Sequence, residues 1–352
     1  MAWLWGNGWD FYNASDAGEV MSDTNSHIYS GTIGQAILNS GSNTRFNYGQ
    51  AILFNGCTIQ TVAFANSTTI WVNSNLFGIS FTVGATAKGI GFRLMDGSSA
   101  QVGVWLRQGG DFIVTNGPYN GTILATSQVF FAGQVWHHFQ IKVVINNTTG
   151  SVTIRRDGNT SDDWTSGNIN TRNGTTTAQC NSVLFSTGDF GNYLDDTYIF
   201  NDQGAAPNNW QGDVRAVQQL PSSDSSTPQW SRSTGTTNYN LVNEASSNKD
   251  TNYVFTTTVN AVDSYNLSAL LSTPSTILCI QQRMCFRMDD VGPHTVHAQL
   301  ISGGTTTNSA DIAVASTYAN QLMATYLTDP NTGLAWSASA ANAAKVGPVD
   351  VV

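Results

Sequence analysis

The sequence predicts an all-β protein built from sandwiches of short antiparallel strands. Stretches with strand character recur roughly every 8–14 residues and are separated by Gly, Asn, Asp and Ser. No segment before about residue 336 shows a convincing helical period. Charged residues make up 11% of the chain, against about 25% in an average soluble protein, and 33 residues are Gly. This uncharged, turn-rich composition is typical of a sandwich or jelly roll.

Length and charge narrow the class of protein further. The 352 residues are long enough to form two domains, and the 40% hydrophobic and 11% aromatic content can support packed cores. The net charge is −9, and the 14 Lys and Arg residues form no cluster, which argues against nucleic-acid binding. We see no run of about 18 apolar residues that would span a membrane. The N-terminus lacks the pattern of a signal peptide.

The first clear element is a hairpin in GIGFRLMDGSSAQVGVWLRQGG. Its apolar residues alternate with small or polar ones, as expected of two half-buried strands. Asp96 and Gly97 supply the turn between the strands. The residues predicted to face inward are Ile90, Phe92, Leu94, Val102, Val104 and Leu106.

A second hairpin lies in VWHHFQIKVVINNTTGSVTIRRDG, residues 135–158, and contains two adjacent histidines. Phe139, Ile141 and Val143 share one parity, so we predict that they form the buried face. His137 has the same parity and should lie at the edge of the core, whereas His138 should lie outside. Adjacent strand residues face opposite sides of a sheet, so the two histidines cannot bind one ion or act on one substrate together.

A domain boundary is predicted where Gly, Pro, Asn and Ser become abundant, around residues 201–230. We assign a first domain to residues 1–203, a linker to 204–230 and a second domain to 231–352. Strand signals resume in the second domain, and its end reads as one or two helical turns at 337–345 before a closing strand, GPVDVV. The second domain is therefore expected to be a smaller β-sandwich.

The four cysteines are Cys57, Cys180, Cys279 and Cys285. The last two lie on one predicted strand about 20 Å apart. A disulfide needs Cα atoms within about 7 Å, so these two cannot pair with each other. A pair between the first two stays geometrically open, but four reduced, buried thiols are the preferred interpretation. A zinc site is not expected because no CxxC motif is present.

Two stretches resemble a known fold family. The second hairpin and the later run YLDDTYIFND are similar to the corresponding strands of concanavalin A-like, laminin-G-like jelly rolls. The late strand of that family carries two aspartates followed by alternating apolar residues. Here these positions are Asp195 and Asp196, then Tyr198 and Phe200. The resemblance implies a jelly roll for residues 1–203.

A closer resemblance covers nearly the whole chain and concerns virion proteins of tailed bacteriophages. It lies in the order and spacing of GNGWDFYNASDAGEVM, YLDDTYIFNDQGAAPNNWQGDVRAVQQLPSSDSSTPQW, NYNLVNEASSNKDTNYVFTTTVNAVDSYNL, FRMDDVGPHTVHAQLISGG and TDPNTGLAWSASAANAAKVGPVDVV. The resemblance implies a structural role in a virion, as a capsid decoration or a tail or fibre protein. The partners implied are other capsid or tail proteins, and a homo-oligomer such as a trimer is expected.

Catalysis is not expected, because the usual motifs are missing. Glycoside hydrolysis needs two carboxylates about 5–10 Å apart, and glucanases of this fold carry a Glu-x-Asp-x-x-Glu run. The only glutamates, Glu19 and Glu244, fall in different predicted domains. No Gly-x-Ser-x-Gly elbow exists, and His294 and His297 have no nucleophile and carboxylate in a recognisable order. The aspartates form adjacent doublets, which diverge on a strand or are solvated in a turn: Asp162–Asp163, Asp195–Asp196 and Asp289–Asp290.

The alternative function is that of a carbohydrate-binding phage adhesin that recognises host surface glycans. Ten Trp, eleven Tyr and abundant Asn would suit a lectin site, which often holds Ca²⁺ through oxygen ligands. The preferred interpretation is that these aromatic residues fill cores and protein interfaces. Asp195 and Asp196 are candidates for holding an ion, but a structural role is as consistent with their position. The prediction is therefore no catalytic residue, no cofactor and no metal.

Overall fold

The computed structural model describes residues 3–12, 18–23, 27–31, 36–40, 44–45, 49–54, 56–78, 82, 85–130, 134–173, 175–186, 192–203, 209–225 and 228–352. The chain divides into two compact units. Residues 1–9 and 14–216 belong to the first unit, and residues 10–13 and 217–352 belong to the second.

The described part of the first unit contains one short α-helix, α1 (Gly18–Ser22), and consists mostly of strands and loops. Its strands, in chain order, are β1 (Trp3–Asn7), β2 (His27–Ser30), β3 (Ala36–Ser40), β4 (Gln50–Phe54), β5 (Thr58–Thr61), β6 (Thr69–Gly78), β7 (Lys88–Asp96), β8 (Ser99–Arg107), β9 (Asp111–Thr115), β10 (Ile123–Val129), β11 (Trp136–Val144), β12 (Ser151–Arg156), β13 (Trp164–Thr165), β14 (Ser182–Ser186) and β15 (Asn192–Asn201).

These strands form two antiparallel sheets that enclose one core. The front sheet has the order β13-β12-β11-β6-β15-β4-β3, and β1 also pairs with β15. The back sheet has the order β10-β9-β8-β7-β14-β5-β2. Neighbours in the front sheet come from distant parts of the sequence, as in a jelly roll. The prediction of an all-β jelly-roll sandwich is confirmed.

Alternation of side chains decides what the core contains. In the second hairpin, β11 pairs with both β6 and β12, and Phe139, Ile141 and Val143 are buried as predicted. The ring of Phe139 meets that of Phe112 edge to face at 5.1 Å and that of Phe130 at 5.9 Å. The first predicted hairpin corresponds to β7 and β8. All six of its predicted inward residues are buried.

The second unit is also almost entirely β. Its strands, in chain order, are β16 (Pro221–Asp224), β17 (Ser231–Arg232), β18 (Val254–Phe255), β19 (Tyr265–Leu267), β20 (Ile280–Phe286), β21 (Thr295–Ser302), β22 (Thr305–Asn308), β23 (Ile312–Ala313), β24 (Ala319–Tyr326) and β25 (Lys345–Asp350). The main sheet has the order β16-β19-β25-β21-β22, with β23 also paired to β21. Two further antiparallel pairs are β17 with β18 and β20 with β24.

A compact apolar cluster holds the second unit together. Leu300 on β21, Trp336 and Ala341 are buried in it, with Ile280 and Tyr326 from the β20–β24 pair packed against them. Side chains from the main sheet and from the pair therefore meet in one core. Two 3-10 turns (Tyr239–Leu241 and Lys249–Thr251) precede it in the chain, and one helix, α2 (Ala338–Ala343), follows Trp336. The predicted helical turns at 337–345 and the closing strand are both present.

A buried carboxylate ties a long loop of the second unit to its sheet. Asp263 has an exposed fraction of 0%. Its Oδ1 accepts hydrogen bonds from the backbone N–H groups of Gln229 (2.8 Å) and Trp230 (2.9 Å). Its Oδ2 accepts from Asn238 Nδ2 (2.5 Å) and from the hydroxyl of Tyr265 (2.8 Å). Four donors on one carboxylate make this residue a structural anchor.

The predicted linker, 204–230, is divided differently by the structure. Residues 209–216 belong to the first unit, and β16 belongs to the main sheet of the second. The composition of this region suggested an unattached connector, but specific hydrogen bonds described below hold residues 209–216 on the front sheet. Residues 204–208 and 226–227 lie outside the described part of the chain.

The cysteines are all thiols. Cys57 and Cys180 are buried in the first unit, while Cys279 and Cys285 are half-buried in the second. Burial raises the pKa of the Cys279 thiol to about 12, so this group stays protonated at neutral pH. Within the described ranges, no helix has both the length and the apolar character needed to cross a membrane.

Candidate functional site

The outer face of the front sheet carries an unusual set of polar side chains. Strands β11, β6 and β15 lie side by side, and residues of one parity on each strand point away from the core. Two register positions show the pattern: His138 lies opposite Asn75, and Gln140 lies opposite Asn73. We call this surface the polar face and define it by Trp71, Asn73, Asn75, His138, Gln140 and Tyr198.

Residues 209–216, which we call the strap, cross the polar face. Two side chains of the sheet bind the backbone N–H and carbonyl groups of one strap residue. Gln140 Oε1 accepts a hydrogen bond from the Gly212 N–H (3.0 Å), and the Tyr198 hydroxyl donates to the Gly212 carbonyl (3.0 Å). Gly212 has a φ of +72°, a left-handed conformation that favours glycine. The strap therefore turns at the point where the sheet binds its backbone.

The two ends of the strap are also attached to the front sheet. The ring of Trp210 meets that of Trp71 edge to face at 6.4 Å, and the Arg155 guanidinium lies 4.2 Å from the Trp210 ring. At the other end, the Ala216 N–H donates to Asp196 Oδ1 at 2.7 Å. The strap is thus held at three points along its length.

Arg45, which lies outside the strands of the sheet, binds the carboxylate of Asp213 over the polar face, and we call this pair the clamp. Arg45 donates from Nη1 and Nη2 to the two carboxylate oxygens of Asp213 in the strap, each at 2.5 Å. Its Nη1 also donates to Asn75 Oδ1. This is the bidentate arrangement in which a guanidinium binds a planar carboxylate. Arg45 is largely buried, and Asp213 is about one third exposed.

The Asp195–Asp196 doublet departs from the predicted pattern. A register shift between Asp195 and Tyr198 marks a β-bulge in β15, and Asp196 takes a φ of 45°. Both aspartates are buried, although the doublet was expected to diverge or to be solvated. Asn75 Nδ2 donates to Asp196 Oδ2 at 2.8 Å. Burial raises the pKa of the Asp196 carboxyl to about 6, because the charged form is poorly solvated there.

His138 is the largest departure from the sequence prediction. It was expected to lie outside, but its exposed fraction is 0%. Its parity is as predicted, and the strap and the Tyr198 ring, stacked at 6.4 Å, cover the face on which it lies. Burial lowers the pKa of the imidazole to about 4, so His138 is neutral at pH 7.

Several polar atoms beneath the strap have no hydrogen-bond partner among the described residues. They are both ring nitrogens of His138, Asn73 Oδ1 and Trp71 Nε1. Each such atom costs free energy when it is buried without a partner. The polar face therefore has hydrogen-bonding capacity that the strap does not use.

The other titratable residues singled out from the sequence are scattered. His137 lies at the edge of the core as predicted, and its Nδ1 is 2.8 Å from Asp157 Oδ2. His294 and His297 each lie 3.0 Å from a carboxylate, of Asp290 and Asp311 respectively. Glu19 and Glu244 belong to different units. No group of three metal-ligating side chains occurs within the described ranges.

Arg45 and the strap were not found by sequence reasoning. Arg45 is a lone charged residue in SNTRFNYGQ and belongs to no recognisable motif, so no local pattern marks it. The strap had two signals that were available. One was the short apolar piece beginning at Val214, and the other was the Gly-Asp-Val-Arg motif, which places Gly212 and Asp213 at the two main contacts.

The stability of the first unit should respond to pH through two opposing groups. The lowered pKa of His138 means that the unfolded chain takes up its proton first, so folding stability is lost as pH falls from about 6.5 to about 4. The raised pKa of Asp196 has the opposite effect, and stability is gained as pH falls from about 6 towards 3.8. The charges of Asp213, Arg45 and Asp157 also act on His138, and those of Arg45 and Asp213 act on Asp196.

We therefore expect Asp196→Asn to lose about 1–2 kcal/mol more stability than the wild type between pH 7 and pH 5. Asparagine tolerates the left-handed backbone at this position. His138→Phe should instead gain stability relative to the wild type between pH 7 and pH 5, because the histidine no longer offsets the stabilising protonation of Asp196. Urea unfolding at the two pH values measures both differences. Equal pH dependence in all three proteins would refute the assignment.

Comparison with known proteins concerns the fold. No protein-family model matches the chain, and no curated protein matches it. A conserved carbohydrate esterase from the Shiga toxin-encoding bacteriophage phi24B is 14% identical, with 56% of this chain and 97% of that chain covered and a TM-score of 0.37. The exoplasmic/lumenal domain of VIP36, in its Ca²⁺/Man3GlcNAc-bound form, is 10% identical. The match covers 51% of this chain and 85% of that chain, with a TM-score of 0.34.

A third structure of similar fold is a glycosyl hydrolase family protein from Mycobacterium fortuitum. It is 11% identical, covers 57% of this chain and 100% of that chain, and has a TM-score of 0.35. Two of these three proteins are carbohydrate-active enzymes. The expectation that this chain is not an enzyme is corrected on this finding. The likeness is one of fold, that of a lectin-like jelly roll.

Proposed function

We propose that the chain is a component of a tailed-bacteriophage virion, as a capsid decoration or a tail or fibre protein, and that it works through protein–protein interfaces. The observation that supports the proposal is the resemblance of an ordered series of segments, along nearly the whole sequence, to virion proteins of tailed bacteriophages. The central motif spans β15, the strap and β16. Its Gly-Asp-Val-Arg segment falls on Gly212 and Asp213, where the strap contacts Gln140 and Arg45.

The edge of the back sheet offers a surface of the kind that neighbouring subunits cover. Strand β10 is at the end of the sheet order and contains no charged residue or proline. Ile123 is 52% exposed and Val129 is 60% exposed, and Val135 beyond the strand is also exposed. Register shifts make the backbone of β10 irregular, so contact through these apolar side chains is the expected mode.

Mass spectrometry of purified particles tests the proposal. A virion component should be present at a fixed copy number in particles of the phage that encodes it, and that number separates many capsid decorations from a few tail subunits. Sedimentation over a concentration series tests the expected homo-oligomer, for which we propose a trimer. Absence of the chain from washed particles would remove the virion assignment.

A second candidate function is recognition of host surface glycans by the first unit. It is favoured by the unfilled hydrogen-bonding capacity of the polar face, since saccharide hydroxyl groups both donate and accept hydrogen bonds. Trp71 and Tyr198 on the same face supply apolar ring surface, as recognition sites commonly do. A glycan array probed with the intact chain tests this candidate. A purely structural protein gives no selective signal.

A further inference from the structure

The strap is attached to the polar face in the way that a bound ligand is. Residues 209–216 belong to none of the described strands, so the strap adds nothing to the ladder of the front sheet. The hydrogen bonds described above that hold it all use a side chain of the protein: those of Gln140, Tyr198, Asp196 and Arg45. Contacts of this kind can be broken one by one without disturbing the sheet beneath.

The strap leaves several hydrogen-bonding atoms of the polar face without a partner. Neither ring nitrogen of the fully buried His138 has a partner in the described part of the chain, and the same is true of Asn73 Oδ1 and Trp71 Nε1. These atoms include both donors and acceptors, so an occupant with several hydroxyl groups would satisfy more of them than a peptide does. The occupant that fits this surface is a polyhydroxylated molecule.

The clamp adds a requirement for negative charge. Arg45 binds the Asp213 carboxylate through two parallel hydrogen bonds, and Asn75 on the sheet orients the guanidinium. Asp213 approaches from the solvent side and stays partly exposed. A carboxylate on an external ligand can reach the same guanidinium from the same side once Asp213 has moved.

We propose that the polar face is a binding site for an acidic saccharide and that the strap is its internal occupant. The Asp213 carboxylate stands where the carboxylate of a uronic acid would bind Arg45, and sugar hydroxyl groups would meet His138 and Asn73. This inference rests on the second candidate function, glycan recognition by the first unit. It adds the class of glycan and the element that competes with it.

Competition with the strap sets how strongly the wild-type protein binds. A tethered occupant has an effective concentration of order millimolar, so an external ligand binds only to the fraction of molecules in which the strap is released. The apparent dissociation constant is the intrinsic constant divided by that fraction. Removing the Asp213 carboxylate should raise the open fraction and so tighten binding.

Calorimetric titration with tetragalacturonate, and with the neutral maltotetraose for comparison, tests the proposal. We expect Asp213→Ala to bind tetragalacturonate at least about tenfold more tightly than the wild type, which corresponds to about 1.4 kcal/mol. Adding Arg45→Gln to Asp213→Ala should abolish this binding, and Arg45→Lys should restore part of it. The matched control is Asp250→Ala, which removes an aspartate paired with Arg287 in the second unit and should leave binding unchanged.

Chemical modification of His138 supplies a second, independent measurement. A neutral imidazole reacts with diethylpyrocarbonate only when reagent reaches it. We expect modification of His138 to be slow in the wild type, faster in Asp213→Ala, and slowed again by tetragalacturonate. Reaction at His138 no faster than global unfolding in every variant would show that the strap does not open, and would overturn the proposal.

The possible binding results separate the inference from the function on which it rests. Equal binding of maltotetraose and tetragalacturonate overturns the acidic class but leaves glycan recognition standing. Absence of binding to either sugar by both proteins overturns the inference, while the glycan array decides separately whether the glycan candidate stands. Binding of the peptide NWQGDVRA, the sequence of the strap, to Asp213→Ala in the absence of any sugar binding would identify a peptide site instead.

Discussion

Asp263→Ala should destabilise the second unit by about 3–5 kcal/mol, the largest effect that we expect from any single substitution in that unit. The carboxylate accepts four hydrogen bonds, and alanine removes this acceptor from all four donors, of which Asn238 Nδ2 and the Tyr265 hydroxyl are buried. The loop that contains Gln229, Trp230 and Asn238 loses its three hydrogen bonds to Asp263 but keeps the bond from Trp230 Nε1 to the Ala261 carbonyl. Hydrogen exchange in urea, read by mass spectrometry on peptides of the second unit, measures the loss.

The control for this prediction is Asp250→Ala in the same unit. Asp250 is exposed and paired with Arg287, and an exposed ion pair contributes little to stability. Tyr265→Phe removes only one of the four donors and should cost an intermediate amount, about 1 kcal/mol. If both aspartate variants unfolded at the same urea concentration, the anchor assigned to Asp263 would be wrong.

Phe139→Ala should destabilise the first unit by about 3–5 kcal/mol. Phe139 lies between the two sheets, with the rings of Phe112 and Phe130 against it. Alanine leaves a cavity that the surrounding strands cannot close. Because each kcal/mol lowers the melting temperature of a domain of this size by roughly 2–4 °C, the shift should approach 10 °C or more. Calorimetry of the intact chain measures it.

Phe255→Ala is the matched control, since it makes the same chemical change at a side chain that is 46% exposed. It should cost less than about 1 kcal/mol, because little apolar area leaves water there on folding. A Phe139→Ala protein that melted within two degrees of the control would contradict the packing described for the core.

Strand periodicity was enough to predict the inward face of each hairpin, because a period of two follows from backbone geometry alone. It placed Phe139 and Ile141 in the core and His137 at its edge correctly. It failed for His138, since parity tells which face a side chain is on but not whether that face is open. The residue that Gln140 binds on this face, Gly212, lies more than seventy positions later in the chain.

The candidate site needed information that no local pattern contains. Arg45, Asn75 and Asp213 come from three distant segments, and only the completed sheet brings them together. Composition also gave a wrong indication. Residues 204–230, rich in Gly, Pro and Asn, were predicted to be a linker, although side chains of the front sheet hold residues 209–216. The bulge at Asp196 was equally hidden, because one extra residue in a strand leaves the apolar alternation on either side intact.

The pairing of β6 with β15 has a consequence for the order in which the protein folds. Asn73 lies opposite Tyr198, so the centre of the front sheet closes only when more than 120 further residues have left the ribosome. Until then β6 has an open edge, and the nascent chain is exposed to wrong pairing. The strap, which follows β15, can dock only on a finished sheet. It therefore docks after the front sheet has formed, and its release can leave that sheet intact.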